Sequence, residues 1–424
     1  MLSPVRQCNI SLQANLSKKQ RNPHRSIPLN SLTLVINSGS SSVKFGLFYR
    51  LNSGSSIEIF CRGSLDGVGS EPSFNIDALQ SQDIARNVIE SAKDLYFSTV
   101  EQAHQVLAQW LNTFIPPSHI TAVCYRVVHG GDFYTQPVLI NKQVIQNLES
   151  LIPFAPLHQK LGLSAINVFM KCYPIALHKA CFDTAFHRSM PKVAQTFAIP
   201  RELTAKGIKP YGFHGLSYEY IASKLAELNQ GNLPNRVIVA HLGSGASMCA
   251  LKDGHSIATT MTFSPLDGLP MATRCGSIDA SAVFYMVSEL KISISEVSSL
   301  LNKKSGLLGV SGISGDIRTL LDSKSADAEF TMDFFIHRIC RELGALAGLL
   351  RGLDTLVFTG GAGAYSWQIR EKVCEQFSWL GVSVNPAANK LNEFLSSGSE
   401  SKIQVFVLKT DEEMTMAKQV MMFN

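Results

Sequence analysis

The chain has 424 residues; at about 150 residues per domain that gives two or three domains, long enough to bury a large core without disulfide or metal staples. Apolar residues make up 45% and charged residues 17%, below the roughly 25% charged fraction of an average soluble chain, which argues against long disordered tracts and a highly charged surface. The formal net charge is +5, from 38 Lys and Arg against 33 Asp and Glu.

That charge is unevenly placed. Residues 1–30 hold Arg6, Lys18, Lys19, Arg21 and Arg25 and no acid, the first acid being Glu58, which leaves 33 bases and 33 acids in residues 31–424. A formally neutral body lacks the clustered Lys and Arg of a nucleic-acid footprint. The leader is rich in Ser, Asn, Gln and Arg and lacks the apolar run of roughly 7 to 15 residues of a secretory signal. It suits an organellar transit peptide, a disordered extension or an upstream start, and a disordered basic leader is the expectation. The longest apolar candidate, 343–358, is broken by Arg351 and Asp354, so no membrane span of about 18 residues is expected. Nine cysteines, at 8, 61, 124, 172, 181, 249, 275, 340 and 374, contain no Cys-x-x-Cys pair. They read as reduced thiols of a cytosol-like compartment, not as a disulfide framework or a zinc site.

In chain order, the β-prone run 32–36 leads through Asn37-Ser-Gly-Ser-Ser-Ser42 into 43–48, which predicts strand, tight polar turn, strand. The design recurs where 236–240 runs through His241-Leu242-Gly243-Ser244-Gly245 into 246–251, so that Asn37 aligns with His241, Gly39 with Gly243 and Ser40 with Ser244. Such a distant repeat predicts two similar domains, each opening on a hairpin whose turn can approach a phosphate. Further strands are predicted at 121–128, 177–182, 355–359 and 403–408, and helices at 157–170, 216–228, 329–350 and 364–377. The alternation predicts α/β layers, with a break in the body near 183–191 and a loop at 398–402.

Gly- and Ser-rich segments at 38–42, 241–245, 311–316 and 359–363 are each expected to follow an apolar strand. Singly each is an ordinary turn; together they point to phosphate, since successive backbone N–H groups make a concave anion site. Neither Gly-x-x-x-x-Gly-Lys-Ser/Thr nor Gly-x-Ser-x-Gly occurs, which removes P-loop NTPases and nucleophile-elbow hydrolases. Arg126 and Arg274 stand among apolar or small residues, where a guanidinium needs either a buried Asp or Glu or a ligand anion. His214 precedes a predicted helix and Asp183 ends a predicted strand, positions that caps and satisfied core groups also occupy.

Val35-Ile-Asn37-Ser-Gly-Ser-Ser-Ser-Val-Lys44, Arg126-Val-Val-His-Gly-Gly131, Ala155-Pro-Leu-His158, Phe182-Asp-Thr-Ala-Phe-His187, Tyr211-Gly-Phe-His214-Gly, His241-Leu-Gly-Ser-Gly245 and Thr410-Asp-Glu-Glu413 together resemble the acetate kinase family, in order along about residues 32–420. The resemblance implies a fold of the sugar kinase, Hsp70 and actin superfamily: two duplicated, ribonuclease H-like α/β domains around an interdomain cleft, spanning 31–183 with 411–424 and 184–410. It implies reversible phosphoryl transfer from ATP to acetate, giving acetyl phosphate and ADP, with Mg²⁺ or Mn²⁺, in a cytoplasmic homodimer without nucleic-acid or membrane partners. Asn37 and Glu412 match the family's magnesium residues and Arg126 its carboxylate-binding arginine. Asp183, His214 and Arg274 match its catalytic residues. Val128, Leu157, Phe213 and Pro265 match the acyl pocket. Lys44, His241, Leu242, Gly243, Ser244, Gly245, Asp316, Ile317, Arg318, Gly360, Gly361, Ala362, Gly363 and Ala364 match nucleotide positions.

The residue types suit this chemistry. A carboxylate with pKa of about 4 to 5 is already ionised at neutral pH, so the acceptor needs no general base and the obstacle is repulsion between two anions. Arginines, a histidine and a divalent cation neutralise that charge, and Asp183 reads as an orienting carboxylate more than a proton carrier. The sequence departs from the family pattern at Ser244 (usually Asn), Ala364 (usually Glu), Gln159-Lys160 (usually Asn-Pro), Ala272, Cys275, Ser277 and Asp411. Two of these fall in nucleotide loops and bear on affinity, rate and donor. The alternatives are a propionate or other short-chain acyl kinase, a pyrophosphate-using variant, and a non-catalytic nucleotide-binding paralogue.

Overall fold

The computed structural model describes residues 9–12, 31–50, 56–69, 71–79 and 96–422; within the leader expected to be disordered, residues 9–12 form a strand, and the rest of the leader lies outside the described residues. The chain divides into two compact units, Met1–Ala185 with Glu412–Asn424, and Phe186–Asp411.

The first unit is built on a sheet of strands β1 (Asn9–Leu12), β2 (Leu32–Ser38), β3 (Ser42–Arg50), β4 (Ile57–Asp66), β5 (Ser73–Leu79), β6 (Ile120–Val127), β7 (Val138–Leu139) and β8 (Leu177–Phe182). Their order is β1-β5-β4-β3-β2-β6-β8-β7. All seven residues of β2 are buried, the signature of a central strand covered on both faces. Strand β2 runs antiparallel to β3 and parallel to β6, and β6 runs parallel to β8. The helix Val100–Asn112, capped by the Thr99 side chain, brings Trp110 edge-on to Phe45 and Phe74. The helix Pro156–Cys172 packs against it and against β6.

The second unit carries β9 (Arg236–Leu242), β10 (Ala246–Lys252), β11 (His255–Thr259), β12 (Thr355–Thr359) and β13 (Gln404–Val407), in the order β11-β10-β9-β12-β13. This repeats the β4-β3-β2-β6-β8 segment strand for strand, with the same senses. Asn37 follows the Ile36 and Tyr125 pair and stands level with Arg126, while His241 pairs with Thr359. The alignment of Asn37 with His241 is therefore structural, and the two units are a duplicated α/β core. The turn differs: Ser38 pairs with Val43 across four residues, but Leu242 pairs with Ala246 across three. The 25-residue helix Ala326–Leu350 packs on β9 and β10.

Two sequence expectations need correction. The helix predicted over 364–377 is two helices, Gly360–Tyr365 and Trp367–Gln376, interrupted at Ser366 with φ −97° and ψ 87°. The segment 311–316 follows the helix Gly306–Ser311, not a strand, and leads into the helix Ile317–Asp322. Among the described residues no helix is long and apolar enough to cross a membrane, and every cysteine is free.

Candidate active site

In the first unit the C-terminal ends of three parallel strands bring Asn37, Arg126 and Asp183 together, the place where open α/β sheets bind ligands. Asp183 follows the last residue of β8, its N–H donating to the Val127 carbonyl at 3.2 Å. The Arg126 guanidinium donates from Nε to Asp183 Oδ1 at 2.9 Å and from Nη2 to Oδ2 at 2.6 Å, the bidentate pairing that arginine's planar fork favours. Its Nη1 donates to Asn37 Oδ1 at 3.2 Å. The Asn37 amide in turn donates to Glu412 Oε2 at 2.9 Å and Glu413 Oε1 at 2.7 Å, both in the first turn of the helix Glu412–Met422. Burial works against the Arg126 charge, yet Asp183, backed by Glu412 and Glu413, holds its pKa above the ordinary value. Burial pushes the Glu413 carboxyl up, while Lys44 and the Asn37 amide pull it down. The buried-acid alternative for Arg126 is realised in Asp183.

Among the described residues no three His, Cys, Asp or Glu side chains form a metal cage. Mg²⁺ commonly uses only one or two protein carboxylates, with waters and substrate phosphates completing the shell. The hard oxygens of Glu412 and Glu413, oriented by the Asn37 amide, suit such an ion. Glu413 was not singled out from sequence, although it stands in the same Thr410-Asp-Glu-Glu motif; its hydrogen bond to Asn37 exists only in the fold.

In the second unit the sites are the β9–β10 turn and its surroundings. His214 sits at φ 58° as N-cap of the helix Gly215–Leu228. Its ring stacks on His241, centroids 4.4 Å apart and planes at 22°. A Cβ on Gly245 would lie 2.9 Å from Arg274 Nη2 and 3.3 Å from His214 Nε2, so a guanidinium and an imidazole nitrogen crowd the face of that glycine. Arg274 Nη1 donates to the Pro265 carbonyl at 2.7 Å. The left-handed φ of 77° at Gly360 comes with backbone contact: a Cβ there would stand 2.6 Å from the Leu242 carbonyl, so the 359–363 segment lies against the end of β9.

The remaining candidates divide between the units. Val128 is buried and Leu157 half exposed in the first; Phe213 is buried and Pro265 partly buried in the second. Lys44 is exposed on β3, paired with Asn37 across the hairpin. Leu242, Gly243, Ser244 and Gly245 form the β9–β10 turn, and Gly361, Ala362, Gly363 and Ala364 continue the short helix after Gly360. Asp316 caps Ile317–Asp322 by accepting from the Arg318 N–H at 2.8 Å, and pairs with the exposed Arg318 guanidinium. Ala364 is buried, and Gln159, at another departure from the family pattern, is fully buried and clamps His129: its Oε1 accepts from the His129 N–H and its Nε2 donates to the His129 carbonyl.

A guanidinium and imidazoles set at a glycine turn, in one of two copies of an α/β core, point to a phosphate-handling class, the phosphotransferases. The family model of the Acetokinase family matches residues 32–418. An acetate kinase of Rhodopseudomonas palustris (strain TIE-1) is 44% identical over 398 residues, covering 92% of this chain and 98% of that protein. One of Rickettsia akari is 40% identical over 395 residues, covering 93% and 100%. The crystal structure of a propionate kinase from Francisella tularensis superposes with TM-score 0.82 at 33% identity over 92% of this chain and 98% of that one. That of Porphyromonas gingivalis acetate kinase superposes with TM-score 0.75 at 31% identity over 92% and 99%. The chain belongs to the acetokinase family.

Proposed function

We propose that this chain is an acetate kinase, transferring the γ-phosphoryl group of ATP in line to acetate and forming acetyl phosphate and ADP. The observation that carries the reading is the pair of nitrogens at Gly245, Arg274 Nη2 and His214 Nε2, in a turn suited to phosphate. Arg126 binds the acceptor carboxylate, exchanging part of its pairing with Asp183 for the substrate anion. Asp183 orients that guanidinium: both its oxygens accept from Arg126, an arrangement for holding a cation. His214 and Arg274 offset negative charge on the phosphoryl oxygens as bonds shift, the term that dominates such transfers. Val128, Leu157, Phe213 and Pro265 are the apolar candidates for the acyl methyl, and the 241–245, 316–318 and 360–364 segments are the candidates for holding the nucleotide. Mg²⁺, held through Glu412 and Glu413 with Asn37 orienting them, supplies charge neutralisation on the nucleotide phosphates when bound.

The protein works as a homodimer in a reducing compartment. Support for the dimer comes from the helix Ala280–Ser288, which buries none of its residues despite the sequence Ala-Ser-Ala-Val-Phe-Tyr-Met-Val-Ser; Phe284 and Tyr285 are exposed, as are Ile278, Leu290 and Ile294 close by in sequence. Trapping acyl phosphate with hydroxylamine, with acetate, propionate or butyrate as acceptor and ATP or pyrophosphate as donor, tests the function. Formation of acetyl hydroxamate with ATP is expected. No product from any combination would favour the non-catalytic paralogue.

A further inference from the structure

We propose that Tyr218 and Ser247 are positioning residues that fix the neutral His214 ring with its proton on Nε2, the nitrogen beside Gly245 and Arg274. The inference rests on the role given to His214 in the proposed function.

Three groups stand in line. The Tyr218 hydroxyl is hydrogen-bonded to Ser247 Oγ, and Ser247 Oγ to His214 Nδ1 at 2.8 Å. Tyr218 and Ser247 are fully buried, and among the described residues Ser247 is the hydrogen-bond partner of the Tyr218 hydroxyl. Hydrogen positions follow from the donor and acceptor balance of such a network. Burial keeps the Tyr218 phenol protonated, its pKa raised well above the usual value although the Ser247 bond opposes the shift.

Two hydroxyl protons therefore need acceptors. A proton on His214 Nδ1 would donate to Ser247, Ser247 would donate to Tyr218, and the tyrosine proton would point into the core without an acceptor, at the desolvation penalty of an unsatisfied buried donor. The opposite direction gives both hydroxyl protons an acceptor: Tyr218 donates to Ser247, Ser247 donates to Nδ1, and the ring proton resides on Nε2. A neutral imidazole then presents an N–H toward the phosphoryl site without taking up a proton. The neighbouring ring is wired alike, with His241 Nδ1 bonded at 2.8 Å to the fully buried Ser217 Oγ. Two stacked imidazoles thus each have Nδ1 held by a serine. Packing alone does not require the Tyr218 hydroxyl, because the contacts of the ring with Phe186 and His187 would survive as phenylalanine.

The test uses the ¹⁵N-labelled full chain and long-range proton–nitrogen NMR of its histidines, with kinetics of Tyr218→Phe, Ser247→Ala and Ser247→Thr. The expected wild-type spectrum has His214 protonated at Nε2 and unprotonated at Nδ1, with both tautomers populated in Tyr218→Phe. Turnover should fall roughly tenfold in Tyr218→Phe and Ser247→Ala, less than the 10²- to 10³-fold of losing a charge-stabilising donor outright, with KM values nearly unchanged and Ser247→Thr recovering most of the loss. In a His214→Ala background Tyr218→Phe should add nothing. A wild-type His214 protonated at Nδ1, or an equal Tyr218→Phe loss with and without His214, overturns the proposal. The tautomer is read without turnover, so a chain forming no acyl phosphate would overturn the proposed function while the nitrogen shifts still decide this one.

Discussion

Asp183 shows how far one side chain's role depends on its neighbours. With both oxygens accepting from Arg126 and its backbone tied to β6, it fixes the position of the Arg126 guanidinium. Asp183→Asn keeps the shape but sets an amide against the guanidinium N–H groups. We expect it to lower kcat by roughly 10²- to 10³-fold, the scale of losing one preorganised electrostatic contact, with a smaller change in the KM for acetate; normal turnover would remove Asp183 from the chemistry. Arg126→Ala should raise the KM for the acyl substrate more than that for ATP, and the reverse pattern would sink its assignment. Gly245→Ala places a methyl 2.9 Å from Arg274 Nη2. Because the clashing atom ends a flexible side chain, stability should be nearly unchanged while kcat falls, which parallel unfolding and rate measurements would show.

At the scale of elements, the Tyr211-Gly-Phe-His214 motif is a backbone device. Gly212 has φ 89°, and a Cβ there would enter the His187 ring at 2.4 Å. His187 is fully buried and bonded to the Phe213 carbonyl at 2.8 Å and to Ser256 at 2.9 Å, so it fixes the segment leading into His214. Gly212→Ala should cost more than the roughly 1–2 kcal/mol of a left-handed non-glycine residue, measured by denaturant unfolding; wild-type stability would contradict the contact. Burial lowers the pKa of both His187 and His104 to about 4. A histidine whose folded pKa lies below its unfolded value of about 6.5 stabilises fully above that value and loses the contribution as pH falls toward the folded value. Unfolding should therefore take up protons, and stability decline, between about pH 6.5 and 4; a stability flat across that window would contradict the burial of these rings.

Much of this scale was legible in the sequence. The run 355–359 is strand β12 as predicted, and the hairpin repeat located both copies of the core, because a polar glycine turn between two apolar runs is local information. The split at Ser366 is not legible because the apolar periodicity continues across it. The strands β4 and β5 are not legible because pairing, β4 with β3 and β5 with β4, and not their own pattern, defines them. At the site, residue types and motifs pointed to Arg126, Asp183 and His214, but the partners Glu413, Ser247 and Tyr218 are fixed by contacts between segments far apart in the chain.

For the whole molecule, the charge count has a structural counterpart. The family match begins at residue 32, and the five leader bases include neither Arg126 nor Arg274. Among the described residues strand β1 pairs only with β5, at the end of its sheet away from β2 and β6. A chain starting at Ser31 should therefore keep the full rate of acyl phosphate formation, and a large loss would make the leader part of the working fold. Sedimentation should give a dimer that Phe284→Glu dissociates; a wild-type monomer would contradict the proposed assembly. The most direct measurement is acetyl hydroxamate formation by the purified full chain with ATP, Mg²⁺ and acetate, alongside Asp183→Asn and Arg274→Ala. Acetyl phosphate forming with wild type and falling at least about a hundredfold in both variants is the predicted result, and no product from wild type, or undiminished product from both variants, would contradict it.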